Sequence, residues 1–147
     1  MSPFTSYMER ALTEAALAAE RGEVPVGAVL VAPDGGIVAA DGNRTRELGD
    51  PTAHAEMLVI RAGGAERLTG YDLYVTLEPC AMCAAAIAAA RIGRLYFGAD
   101  DPKSGGVKHG ARVFEHSQTH HRPEVYDGIG ADKAAAILTG FFAGRRK

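Results

Sequence analysis

The sequence predicts an α/β fold, a three-layer α/β/α arrangement around a mixed five-stranded sheet, and three patterns carry that expectation. Residues 26–31 form a nearly continuous apolar run, and after the turn Pro33-Asp34-Gly35-Gly36 residues 37–40 return, which is the pattern of a hairpin with one buried strand. Residues 72–77, 81–90 and 95–98 read as strand, short helix and strand, which calls for a right-handed parallel crossover. Apolar residues recur at helical spacing near the start of the chain.

In chain order, Ser6-Tyr7-Met8-Glu9 fits a capping box. Met8, Leu12, Ala15 and Ala19 behind it predict a helix to about Arg21, stopped by Gly22 and Pro25. The hairpin follows, then a polar loop over residues 41–53, long enough to point to function. A cap and an early proline coincide at Asp50-Pro51-Thr52, so a second helix is expected to begin there and to end at Gly63-Gly64. In the crossover, six alanines within residues 84–90 let the third helix lie close to the sheet. Residues 124–126 are expected as a short fifth strand and residues 131–142 as the last helix. No repeat, low-complexity segment or clear linker interrupts the 147 residues, so one domain over 1–147 is expected.

Composition narrows the classes. At 47% hydrophobic and 23% charged, the chain reads as an ordinary globular protein. The first ten residues lack a signal-peptide core and no apolar run reaches the ~18–20 residues of a membrane span, so no membrane partner and a cytoplasmic location are expected. Both cysteines lie in Cys80-Ala81-Met82-Cys83, which excludes a disulfide scaffold and leaves metal binding or thiol redox chemistry. Residues 1–102 carry 8 Lys/Arg against 14 Asp/Glu and residues 103–147 carry 8 against 4, an acidic body with a basic end. That balance fits a local nucleic-acid patch and a solvated helix face equally well.

His54, Cys80 and Cys83 supply three soft ligands, suited to one tetrahedral zinc ion per chain with its fourth position open to water. Three protein ligands and an open position make a catalytic site, whereas a structural zinc normally has four. Glu56, two residues past the histidine, is placed to reach that water without being a ligand. Both motifs fall at expected helix starts, where orphan N–H groups and the helix dipole favour thiolates. A lone C-x-x-C also reads as a thiol–disulfide pair, and a lone His-Ala-Glu carries little information. Together they favour metal catalysis, with a structural zinc and a merely superficial Glu56 as the remaining alternative. Glu78, just before Pro79, is expected to support the site from the third strand.

The residues also resemble a known family. Glu23-Val24-Pro25-Val26-Gly27-Ala28-Val29, Gly42-Asn43-Arg44, and Asp50-Pro51-Thr52-Ala53-His54-Ala55-Glu56 are similar to the bacterial tRNA-specific adenosine deaminases. So are residues 73–84, which contain Glu78-Pro79-Cys80-Ala81-Met82-Cys83, then Arg91-Ile92-Gly93-Arg94 and Phe97-Gly98-Ala99, down to Phe141-Phe142 and the basic end. The H-x-E…P-C-x-x-C signature is shared with zinc nucleobase deaminases at large. His120-His121, Asp132-Lys133 and residues 105–118 depart from the pattern.

The resemblance implies a cytidine-deaminase-like fold, a homodimer, and hydrolytic deamination of adenosine to inosine at the wobble position (A34) of a tRNA anticodon stem-loop. Bound zinc would lower the pKa of its water to about 7. Glu56 would then carry the water proton to the ring N1 and on to the leaving ammonia, with no organic cofactor. Asn43 would hydrogen-bond the flipped base, although it also reads as a loop residue capping a turn. Arg44, Lys103, Lys108, Arg122, Arg145, Arg146 and Lys147 are candidate RNA contacts, and each taken singly also reads as a solvated charge. The alternatives are a deaminase of a free base such as guanine or cytosine, and a zinc-stabilised interaction module without turnover.

Overall fold

Gly27–Val31 (β1) is buried at every position because it is an interior strand of the sheet, with helices on both faces. The computed structural model describes residues 3–144, with side chains from residue 7 onward. The remaining elements are α1 (Pro3–Glu20), β2 (Ile37–Gly42), α2 (Ala55–Ala62), β3 (Asp72–Leu77), α3 (Ala81–Ala89), β4 (Arg94–Ala99), β5 (Glu124–Tyr126) and α4 (Ala131–Gly144). A single 3₁₀ turn, Val113–Glu115, was not expected from the sequence.

The five strands lie in the order β2-β1-β3-β4-β5. β1 is antiparallel to both β2 and β3, while β3, β4 and β5 run parallel, so the sheet is mixed. Alternation along β1 divides two cores. Ala28 and Leu30 pack with Val59 of α2 and Ile87 of α3. Val29 and Val31 face the other way, onto Met8, Ala11 and Leu12 of α1 and Ala134 of α4. In α3, Cys83, Ala84, Ile87 and Ala88 form the buried face, so the small side chains do turn toward the sheet. Among the described residues no helix is long and apolar enough to cross a membrane.

Two helix starts differ from expectation. α1 begins at Pro3, so Ser6 lies inside the helix and the expected Ser6–Glu9 capping box does not open it. Proline suits a first turn because its missing N–H would have no helical partner there. α2 begins at Ala55 rather than near Asp50. Asp50 does accept hydrogen bonds, but from the Thr52 N–H and hydroxyl at 2.8 and 2.7 Å, which closes a local turn and leaves the helix to start later.

Gly27 is where α1 lies closest to the sheet. A Cβ there would overlap the Ala11 carbonyl and come within 2.6 Å of the Ala15 nitrogen. Gly27→Ala is therefore expected to cost about 1–3 kcal/mol by overpacking. For a chain of this size each kcal/mol lowers the unfolding midpoint by about 2–4 °C. Thermal unfolding followed by circular dichroism checks it; an unchanged midpoint would mean that α1 does not press on β1 as described.

Candidate active site

His54 and Cys80 occupy equivalent positions, each the N-cap of its helix with extended backbone, ψ 153° and 174°. The carbonyls of both already accept the first helical hydrogen bonds, from Leu58 at 3.1 Å and Ala84 at 2.8 Å. Their side chains are thus carried at helix starts, and α2 and α3 bring those starts together beyond the C-terminal end of β3. Cys83 follows one turn into α3 and shares the face of Cys80.

The Nδ1 atom of His54 stands 3.6 Å from the Cys80 sulfur and 3.5 Å from the Cys83 sulfur. All three donor atoms lie within 4.8 Å of one another. A tetrahedral zinc with sulfur at ~2.3 Å and nitrogen at ~2.0 Å sets such ligands about 3.5 Å apart, so the donor set and its spacing fit one zinc per chain. Without a metal, Cys83 and then His54 hydrogen-bond to the Cys80 sulfur and draw its pKa down to about 4, while that shared proton and burial hold Cys83 up. A coordinated metal would displace both protons.

Glu56 sits in the first turn of α2, 3% exposed, and borders the same cavity as His54 and Cys80. Burial pushes its carboxyl up to about 7, against the pull of its own backbone N–H and of His54. A divalent cation on the three neighbouring donors would draw it back down.

The cavity has a volume of about 830 Å³. Its lining draws Val24, Val26, Asn43 and Thr45 from around β1 and the loop after β2, His54 and Glu56 from the start of α2, and Leu77, Glu78 and Cys80 from the β3–α3 junction. Asp100, Asp101, Lys103 and Ser104 after β4 and Leu138 and Phe142 of α4 complete it. Asn43 is buried, and its Oδ1 accepts the Ala55 N–H at 2.8 Å, satisfying an orphan donor at the start of α2. Its amide nitrogen makes no hydrogen bond among the described residues, so the capping and base-binding readings of Asn43 are compatible.

Two buried carboxylates hold the walls. Glu23, 1% exposed, accepts the backbone N–H groups of Arg46 and Glu47 and the Thr45 hydroxyl. Sequence reading missed it, because its partners lie more than twenty residues away. Glu78, 2% exposed, does the same for residues 101–109, as expected of a supporting residue. Burial pushes the Glu78 carboxyl up, but the Asp101 N–H, the His109 side chain and the other loop amides outweigh it and hold the group below the usual carboxylate range.

The candidate RNA contacts separate. Lys103 borders the cavity. Arg44 does not, since its guanidinium is engaged at 2.8 Å by both Asp41 and Glu47. Lys108 is paired with Asp100 and Asp127. Arg122 precedes Glu124, which pairs with Arg94 at the start of β4, so it lies at the opposite end of the sheet, about 20 Å away for a six-residue strand. Arg122 thus lies away from the cavity, and its contact with RNA stays a proposal. Arg145, Arg146 and Lys147 fall outside the described residues.

The model of the cytidine and deoxycytidylate deaminase zinc-binding region matches residues 1–99. The chain belongs to that deaminase family. Within it, the chain is 58% identical to a tRNA-specific adenosine deaminase of Agrobacterium fabrum, over 99% of this chain and 98% of the relative. A solved structure from a study of A-to-I editing by tRNA:A34 deaminases superposes with a TM-score of 0.89 at 59% identity, covering 91% of this chain and 99% of that one. Guanine deaminase from Nitrosomonas europaea superposes with a TM-score of 0.80 at 20% identity, covering 95% and 84%, a likeness of fold alone.

Proposed function

We propose that this deaminase converts adenosine to inosine, releasing ammonia, at the wobble position of a tRNA anticodon loop. The observation that carries the chemistry is the His54–Cys80–Cys83 cluster with buried Glu56 beside it on an open cavity. The substrate assignment is supported by the near full-length similarity to tRNA-specific adenosine deaminases.

His54, Cys80 and Cys83 hold the zinc, which when bound supplies Lewis-acid activation of water at neutral pH. Glu56 is placed to take a proton from the attacking water and would deliver it to the adenine N1 as the new oxygen bonds to C6. The same carboxyl then takes the remaining proton from the new C6 hydroxyl and passes it to the departing amino group, so C6–N breaks, C6=O forms, and water and adenosine become inosine and ammonia. The Asn43 amide nitrogen donates to the base and orients its C6 toward Glu56. An anticodon loop is already partly unstacked, which lowers the cost of turning the base into the cavity. A homodimer, with each site shaped in part by the partner chain, is proposed from the family resemblance. Size-exclusion chromatography with light scattering tests it, a dimer eluting at twice the chain mass.

Phosphate contacts make the substrate testable through salt. Binding of an anticodon stem-loop is expected to weaken with a slope of log affinity against log salt of about −0.7 for each single-strand phosphate neutralised. Replacing Arg145, Arg146 and Lys147 by alanine should make that slope shallower by up to about 2 and leave zinc content unchanged. A salt-insensitive affinity, untouched by those replacements, would count against an extended RNA contact.

A further inference from the structure

We propose that Glu78 is a positioning residue whose buried carboxylate latches residues 100–109 onto the start of α3, fixing the cavity wall against which the substrate seats. The proposal rests on the cavity being the deaminase site.

Two oxygens of one side chain gather five donors from a single loop. Oε1 accepts the Asp101 N–H at 3.0 Å and meets the His109 Nδ1 at 2.7 Å. Oε2 accepts the N–H groups of Val107, Lys108 and His109 at 3.1, 2.9 and 3.1 Å. Without this one buried acceptor, the four main-chain amides would lose their partner. Val107 is one of the few apolar side chains this loop buries, so hydrophobic packing alone is a weak anchor. What the latch holds in place is the wall itself, since Asp100, Asp101, Lys103 and Ser104 border the cavity.

The loop side is shaped to the latch. A Cβ at Gly105 would overlap the Glu78 carboxylate, and one at Gly106 would come within 2.6 Å of the Ala81 Cα. Glycines let the backbone lie directly on the carboxylate and on the first turn of α3, beside Cys80. Residue 78 therefore sets the distance between the wall and the metal cluster without needing to touch the substrate.

Glu78→Gln tests this with little change of shape. One acceptor oxygen becomes an NH₂ group facing N–H donors, so at least one charged hydrogen bond is replaced by a clash of donors. Hydrogen exchange at the amides of residues 101 and 107–109 is expected to quicken about tenfold or more, the equivalent of losing one charged hydrogen bond. Zinc should stay at one per chain, and KM for an anticodon stem-loop should rise about tenfold with kcat changed far less. Gly105→Ala pushes on the same latch from the loop and should give the same pattern, which keeps the test open if the first variant does not fold. Unchanged exchange in these amides would overturn the proposal, and so would a fall in kcat that tracks zinc loss at constant KM. The exchange measurement needs no substrate. If the wild-type protein makes no inosine but the variants loosen these amides, the latch stands and the substrate assignment fails.

Discussion

Glu56→Gln is expected to keep one zinc per chain and to lose turnover by at least about 10²–10⁴-fold, the range for removing a general acid–base group. Glutamine has nearly the same shape, so the first turn of α2 and the cavity should persist. It cannot accept the water proton or return it to the leaving nitrogen. The wild-type carboxylate is buried beside His54 and Cys80 but does not belong to the cluster whose atoms lie within 4.8 Å of one another. Metal analysis together with single-turnover rates decides the point. A variant that lost zinc along with activity would make Glu56 a ligand and leave the site without a proton carrier.

Metal loss should have the second large effect, on stability as well as rate. His54→Ala removes one of three donors, and deamination should fall to background as zinc is lost. In the wild type, chelation should abolish activity and lower the unfolding midpoint. Zinc at a thousand times its Kd stabilises the folded chain by about 4 kcal/mol. At about 2–4 °C per kcal/mol, stripping it should lower the midpoint by about 8–16 °C. The α/β core is built without the metal, so the stripped chain should still unfold cooperatively at that lower temperature. Full activity in metal-free protein would refute the ligand assignment.

Local patterns were sufficient for much of this architecture. β3 and β5 have the bounds read from residues 72–77 and 124–126, because short apolar or aromatic runs bounded by turn residues are local signals. The parallel crossover through α3 follows from the shortness of the intervening segment. The metal cluster was legible because its chemistry needs two short motifs with fixed spacing. Where partners are distant, the sequence misleads. Asp50-Pro51-Thr52 looks like a helix start, yet the acceptor that serves the first amide of α2 is Asn43, twelve residues earlier. Arg44 and Arg122 are basic residues like Lys103, but ion pairing inside its own loop occupies the first and strand register carries the second to the far end of the sheet. Glu23 stood out only as the first residue of a family-like run and its role gave no signal, since a buried carboxylate that receives main-chain donors is written in the loop that closes over it.

The central claim is that this zinc cluster, with Glu56, deaminates the wobble adenosine of tRNA. It is tested most directly by incubating the zinc-loaded protein with unmodified total tRNA and sequencing for inosine, which reads as guanosine. The expected result is adenosine-to-guanosine conversion at the first anticodon position of one or more tRNAs, absent with Glu56→Gln. No conversion anywhere in the tRNA pool, while the same preparation releases ammonia from free guanine or cytosine, would contradict it.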